Sequence, residues 1–349
     1  MPIRLLFSVL LSLILSGCST LGYYTQSIGG HLDLMGRSRS IDRILADPLT
    51  PDKLRQQLKR VQKIRRFATQ QLDLPDNGSY LSYADLERKA VVWSVIATPE
   101  FSMEPKSWCY PFIGCAAYRG YFSRQAADTY VAGLREQGLD VTVEAVPAYS
   151  TLGWFNDPLP STVIEWQEPH IAGLIFHELA HQRLYVNGDS AFNEAFAATV
   201  ERVGVGRWLD SADDLARLTG WQRMQERERE FIALLMKSRQ SLVELYTTAL
   251  PVDDMRLSKA SEFSRLRSDY SRLKERWGGT QNYDHWFGRE LNNARLASIA
   301  TYEHWVPVFL RLLQQAEGDM EGFFQECELL GALPEEERHR RMEQLLGVR

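Results

Sequence analysis

The chain reads as an α+β protein, mainly helical, with a small sheet ahead of one strongly apolar helix and a helical C-terminal part behind it. Three observations predict this. Residues 91–96, 116–122 and 141–146 are short runs rich in Val, Ile, Thr and aromatics, bounded by turn residues, as strands are. Residues 51–74 and most of the chain from 205 onward repeat their apolar residues at helical spacing instead. The composition, 44% hydrophobic and 24% charged over 349 residues, is that of a globular protein with room for a sizeable core.

Taken in order, residues 51–74 present Leu54, Leu58, Val61, Ile64 and Phe67 on one helix face and stop at Pro75-Asp76-Asn77-Gly78. The strand at 91–96 follows, then the one at 116–122. Ser123 is placed to cap a helix that ends at Gly138, before the strand at 141–146. Residues 171–176 are wholly apolar and open the next helix. That helix meets Asn187-Gly188, a stop-and-turn signal, and Asp189 or Ser190 can cap a second helix over 191–203. Beyond 205, Pro251 separates two long amphipathic helices that form a hairpin, with Phe231, Leu234, Leu235, Leu242 and Leu245 inward. Helices over 291–315, 320–330 and 335–346 complete the chain. The organisation expected is 1–17 a signal peptide, 18–90 an N-terminal helical segment, 91–204 the zone holding the chemistry, and 205–349 a helical C-terminal region.

The chemistry lies in His177-Glu178-Leu179-Ala180-His181. Residues four apart share a helix face, so both imidazoles can reach one metal ion, and zinc is the cation this donor type suits. Glu178 sits about 100° round the helix from His177, where its carboxylate reaches a water and not the metal. It is the candidate general base. The pair emerges from an apolar helix, where two histidines without partners would be costly. His181 lies seven positions before Gly188 and Glu194 six after it, so Glu194 stands at the level of the two histidines across the helical hairpin. It is the candidate third ligand. Ala195, Ala197 and Ala198 keep the second helix thin, while Phe192, Phe196 and Val200 suit the core. Glu201 shares the Glu194 face and is either a partner that orients a histidine or a surface residue.

The first residues make a secretion signal: Arg4, then an apolar run over 5–15 too short to span a bilayer. Leu15-Ser16-Gly17-Cys18 resembles the bacterial lipobox, which implies lipidation at Cys18. Ser19 after it implies an outer-membrane lipoprotein facing the periplasm, in contact with the membrane through its lipid anchor. In that oxidising compartment Cys109 and Cys115 favour a disulfide over a two-thiol metal site, and Cys327 fits a buried free thiol. The net charge of −5 gives no footprint for nucleic acid. Protein partners are not legible.

Further stretches carry a resemblance: Trp108-Cys109-Tyr110-Pro111 through Gly114-Cys115, Tyr118-Arg119-Gly120-Tyr121-Phe122, Ser150-Thr151-Leu152-Gly153-Trp154-Phe155, Asp157-Pro158-Leu159, Phe192-Asn193-Glu194-Ala195-Phe196-Ala197 and Asn292-Asn293-Ala294. With the zinc segment, the chain resembles the bacterial predicted aminopeptidases, zinc peptidases of the gluzincin type. The resemblance implies a zincin-like catalytic core, with His177, His181 and Glu194 on zinc, Glu178 as base and a peptide as substrate. The chain departs from the thermolysin-like pattern in its shorter span from His181 to Glu194 and in lacking an acidic residue four after Glu194.

Peptide hydrolysis also needs an oxyanion donor besides the metal. Tyr302 is the first candidate, with His304 beside it and Tyr185 and Tyr283 behind. The segment 149–155 is a candidate edge strand for an extended peptide, with a loop or core strand as the other reading. Asp157, Glu165 and Glu201 are candidates to bind a substrate α-amine. Two other functions stay open: a lipid-anchored envelope scaffold with structural zinc, and a zinc endopeptidase.

Overall fold

The computed structural model describes residues 22–110, 114–148, 150–212 and 215–347, with the side chains of 299–303 outside the described set. Cys18 and the signal segment lie outside the described residues. No described helix is long and apolar enough to cross a membrane.

The chain enters through helix α1 (22–36) and continues through strand β1 (Ser38–Ser40), α2 (Ile41–Ala46) and α3 (Asp52–Leu72). The helical spacing of α3 buries Leu58, Val61, Ile64, Ala68 and Leu72, and the helix stops where Asp73 turns left-handed at φ 51°. Strands β2 (Ser82–Ala84), β3 (Val92–Pro99), β4 (Trp108–Tyr110), β5 (Gly114–Ala116) and β6 (Arg119–Tyr121) lead to α4 (Arg124–Glu136) and β7 (Leu139–Val146). Ser123 caps α4, its hydroxyl accepting from the Ala126 amide. In the central sheet β3 lies between β6 and β7, antiparallel to both, with Val95 opposite Val143. The single strand expected at 116–122 is two short ones: β5 pairs with β4, while β6 pairs with β3. The β4–β5 hairpin sets Cys109 opposite Cys115, and the two are disulfide-bonded. Cys327 is a buried free thiol.

Strand β8 (Leu159–Pro160) joins β2 in parallel, with β1 on the other side of β2. The segment ahead of it is not an edge strand. Over 150–155 it is a tight turn, with the Trp154 amide on the Thr151 carbonyl at 3.1 Å. Leu152 and Gly153 have φ of 55° and 85°, which no strand accommodates.

Helices α5 (Glu168–Arg183) and α6 (Ser190–Ser211) form the central hairpin. Helix α5 is apolar nearly all round and is correspondingly buried, packed on α3 and α6. A Cβ on Gly204 of α6 would lie 2.7 Å from the Phe176 ring and 2.8 Å from Leu72, so this glycine lets the three helices close up. Phe192, Phe196 and Val200 are fully buried in the same core.

The remainder is helical: α7 (Leu215–Tyr246), α8 (Val252–Arg276), α9 (Asp284–Phe287), α10 (Asn293–Glu303), α11 (Val306–Gln315), α12 (Met320–Gly331) and α13 (Glu335–Leu346). The α7–α8 hairpin has its own core around Phe231, Leu235, Leu266 and Tyr270. Leu296 and Ala297 of α10 complete that core, and α10 also touches α6, β3 and β7. The single helix expected over 291–315 is broken before Val306, where Pro307 in the first turn of α11 cannot continue the preceding one.

Helix α13 is tied to the start of α6 by a buried ion pair, Arg338 Nε to Asp189 Oδ2 at 2.8 Å, with His339 Nε2 on the same oxygen at 2.8 Å. Asp189 also caps α6 by accepting from the Phe192 amide. Burial pushes the Asp189 carboxyl up, but that amide, His339 and Arg338 outweigh it and hold the group below its usual value. A depressed acid contributes stability above its unfolded pKa and loses it as pH falls through the folded value, so this tie weakens in acid below about pH 4. Arg338→Ala leaves the carboxylate buried and short of its partner, and is expected to destabilise the fold by about 3–5 kcal/mol. Chemical denaturation of the variant beside wild type measures it.

Candidate metal centre

His177 and His181 are one turn apart on α5, and Glu194 meets them from the second turn of α6. The connection between the helices is clamped by Asn193. Its amide donates to the Val186 carbonyl at 2.8 Å and accepts from the Val186 amide at 2.7 Å. Buried and doubly bonded, Asn193 fixes the height of its neighbour Glu194 against α5.

The three side chains converge. His177 Nε2 is 3.2 Å from His181 Nε2 and 3.3 Å from Glu194 Oε2, and His181 Nε2 is 3.8 Å from that same oxygen. Bonds of about 2.0–2.1 Å to a tetrahedral zinc imply ligand edges of about 3.3 Å, so this triangle has the size of one zinc coordination face. Three donor atoms facing one point, two of them imidazole nitrogens, also fit a cation chemically. Among the described residues this is the group of His, Cys, Asp and Glu side chains able to hold a metal.

Glu201 stands behind His177. Its Oε2 accepts at 3.1 Å from His177 Nδ1, which fixes the tautomer and turns Nε2 toward the triangle. A Cβ on Gly173 would come within 2.9 Å of Glu201 Oε1, so the glycine one turn before His177 makes room for this carboxylate. His181 Nδ1 is buried without a hydrogen-bond partner.

Electrostatics follow from burial and the cluster. Burial lowers the His177 pKa, but hydrogen bonds to Glu194 and Glu201 outweigh it and leave the ring raised well above its usual value. Burial and the neighbouring His177 push His181 down to about 4, keeping it neutral. Burial raises Glu194, yet its contacts with the two histidines leave it lowered. Burial also pushes Glu178 up to about 7; His177 opposes this, while Glu194 and Asp157 add to it. A basic carboxylate beside a metal-sized triangle is the arrangement a general base needs.

The candidate oxyanion donors separate. The side chain of Tyr302, on α10, falls outside the described residues. His304 is exposed and packs edge-on to Trp305. Tyr283 stacks on Phe231 in the α7–α8 core, apart from the triangle. Tyr185 lies beside His181, ring centroids 6.3 Å apart, and is raised by burial and by Glu194. Tyr118, which sequence reasoning did not single out, lies within electrostatic range of the cluster. Its ring is half exposed, while desolvation of its hydroxyl, with Glu194, Tyr185 and Glu178 nearby, pushes it up to about 12. The only signal in the sequence was its place in Tyr118-Arg119-Gly120-Tyr121-Phe122.

The amine-binding candidates separate too. Glu165 is exposed and paired with Lys53 Nζ at 2.5 Å, and Glu201 is committed to His177. Asp157 is buried under the 150–155 turn, its Oδ2 accepting from the Thr151 amide at 2.9 Å and the Ser150 hydroxyl at 3.4 Å.

No curated protein and no solved structure matches the chain. A family model described as "Putative aminopeptidase" matches residues 22–342, which takes in the whole hairpin of α5 and α6, the central sheet and nearly all of the C-terminal helices. By that match, the chain belongs to the putative aminopeptidase family.

Proposed function

We propose that this member of the family is a zinc-dependent aminopeptidase of the gluzincin type, working on peptides in the bacterial envelope. The observation that carries the reading is the triangle of His177 Nε2, His181 Nε2 and Glu194 Oε2, with edges of 3.2, 3.3 and 3.8 Å, next to a base raised to about 7. His177, His181 and Glu194 would hold the zinc, and Glu201 would orient His177. When bound, zinc supplies a Lewis acid that polarises the scissile carbonyl and acidifies the attacking water. Glu178 takes the proton from that water as it adds to the carbonyl carbon, then delivers it to the leaving amine nitrogen as the C–N bond breaks. Tyr185, whose ring lies beside His181, and Tyr118, whose hydroxyl feels the charges of Glu194 and Glu178, are the candidate donors to the developing oxyanion. A purely structural metal site has no use for Glu178, which favours the enzyme over a scaffold. Purified protein with zinc, incubated with free and N-acetylated peptides, tests the reading. Cleavage of the free peptides that chelation abolishes and zinc restores supports it; equal cleavage of the N-acetylated peptides makes the protein a zinc endopeptidase instead, and no cleavage of any peptide overturns the reading.

The lipobox reading adds an address: an outer-membrane lipoprotein held by acylated Cys18 and facing the periplasm. Cys18→Ser is expected to abolish lipid incorporation, because only the thiol accepts the diacylglyceryl group. The apolar run before it is too short to anchor durably. Labelled-lipid incorporation with membrane fractionation checks this, and wild-type protein that takes up no lipid would refute the address.

A further inference from the structure

Beside the catalytic base lies a buried carboxylate with half of its hydrogen-bonding capacity unused. Asp157 is 1% exposed, and its Oδ1 is buried with no hydrogen-bond partner, while Oδ2 carries both contacts to the 150–155 turn. Its position against α5 is set by a chain of hydrogen bonds. The Asp157 amide and the Gln182 side chain both donate to the Ser79 hydroxyl, at 3.2 and 3.3 Å, and Asn77 holds Gln182 from the other side at 2.7 Å. Gln182 is one turn beyond Glu178 on the same face of α5, so Asp157 is packed against the face that carries the base. Tyr80 adds a second orphan there. Its hydroxyl is also buried without a partner, and its amide donates to the Asp157 carbonyl at 2.7 Å.

A buried carboxylate oxygen with no donor is costly, and a cation that reaches it supplies both the missing donor and the counter-charge. The α-ammonium of a peptide is separated from the scissile carbonyl carbon by a single Cα. The group that binds it must therefore sit beside the base. Glu194 is used in the triangle, Glu201 faces away on His177 Nδ1, and Glu165 is exposed on Lys53. From this placement we infer that Asp157 is the subsite for the free α-ammonium of the substrate and makes the centre an exopeptidase selective for unblocked N-termini. The inference rests on the peptidase reading above.

The test compares full-chain zinc-loaded protein with Asp157→Asn on leucine p-nitroanilide and its N-acetyl derivative. Wild type is expected to prefer the free amine by at least ~100-fold in kcat/KM, and the variant to lose most of that preference through the free-amine substrate. Equal cleavage of both by wild type overturns the inference while leaving the peptidase reading intact, and so does an unchanged preference in Asp157→Asn. If neither compound is cut, calorimetric binding of leucine hydroxamate against its N-acetyl form decides the subsite independently of turnover. Selectivity for the free amine that Asp157→Asn abolishes supports it; equal binding overturns it. Should Asp157→Asn not fold, wild type is measured with the isosteric α-hydroxy analogue. A ~100-fold weaker interaction supports a site for positive charge, and equal binding refutes it.

Discussion

Glu178→Gln is expected to lower kcat by about 10²–10⁴-fold while the protein keeps its fold and its zinc. The amide has nearly the shape of the carboxylate, so helix α5 and the neighbouring ligands are undisturbed. It cannot accept the proton from the attacking water or return it to the leaving amine. The loss falls on kcat more than on KM, because the proton moves in the transition state and not on binding. Removing a partly buried carboxylate also relieves a desolvation cost, so thermal stability should hold or rise. Steady-state kinetics beside zinc analysis and a melting curve checks all three. Undiminished turnover in the variant would remove Glu178 from the base role.

Glu194→Ala is expected to weaken zinc binding by far more than 100-fold and to abolish activity with it, because two histidines one turn apart make an incomplete site. Glu201→Gln serves as the graded comparison. It keeps all three donors and loses only the negative partner of His177 Nδ1, so a 10–100-fold drop in affinity is expected. Competitive titration with a chromophoric chelator measures both. Full zinc retention in Glu194→Ala would take that residue out of the ligand set, and equal losses in the two variants would place Glu201 in the first coordination layer. The ordering matters because the two carboxylates lie on one face of α6, and only their distances to His177 Nε2 and Nδ1 tell them apart.

Much of this centre was readable because its residues are related by local geometry. His177 and His181 share a face of α5 by the helix period alone. Glu194 was reachable by counting outward from the Asn187-Gly188 turn, because a tight helical hairpin holds residues equidistant from its turn at one level. Secondary structure follows the same logic: short runs of β-branched and aromatic residues between turns mark β3 and β7, and helical spacing of apolar residues marks α3, α12 and α13. At Pro307, between α10 and α11, and at the left-handed Leu152 and Gly153, one or two residues override the surrounding pattern and break the expected helix or strand.

The sequence by itself determined the mainly helical α+β class, the hairpin that carries the His-Glu-x-x-His helix, and the identity of the three converging donors. Only the tertiary structure decided what surrounds them. Glu201 faces His177 because Gly173 leaves space for it, and Tyr118 and Asp157, from connections distant in the chain, come close enough to add their charges to the cluster. By sequence Asp157, Glu165 and Glu201 are equivalent acids; the hydrogen bonds of Asp157 and Gln182 to the Ser79 hydroxyl are what set Asp157 against α5. The physical reason is range. A helix repeats its faces every few residues and so announces them, whereas a contact between a loop and a distant helix depends on how whole layers pack, which no short stretch of sequence encodes.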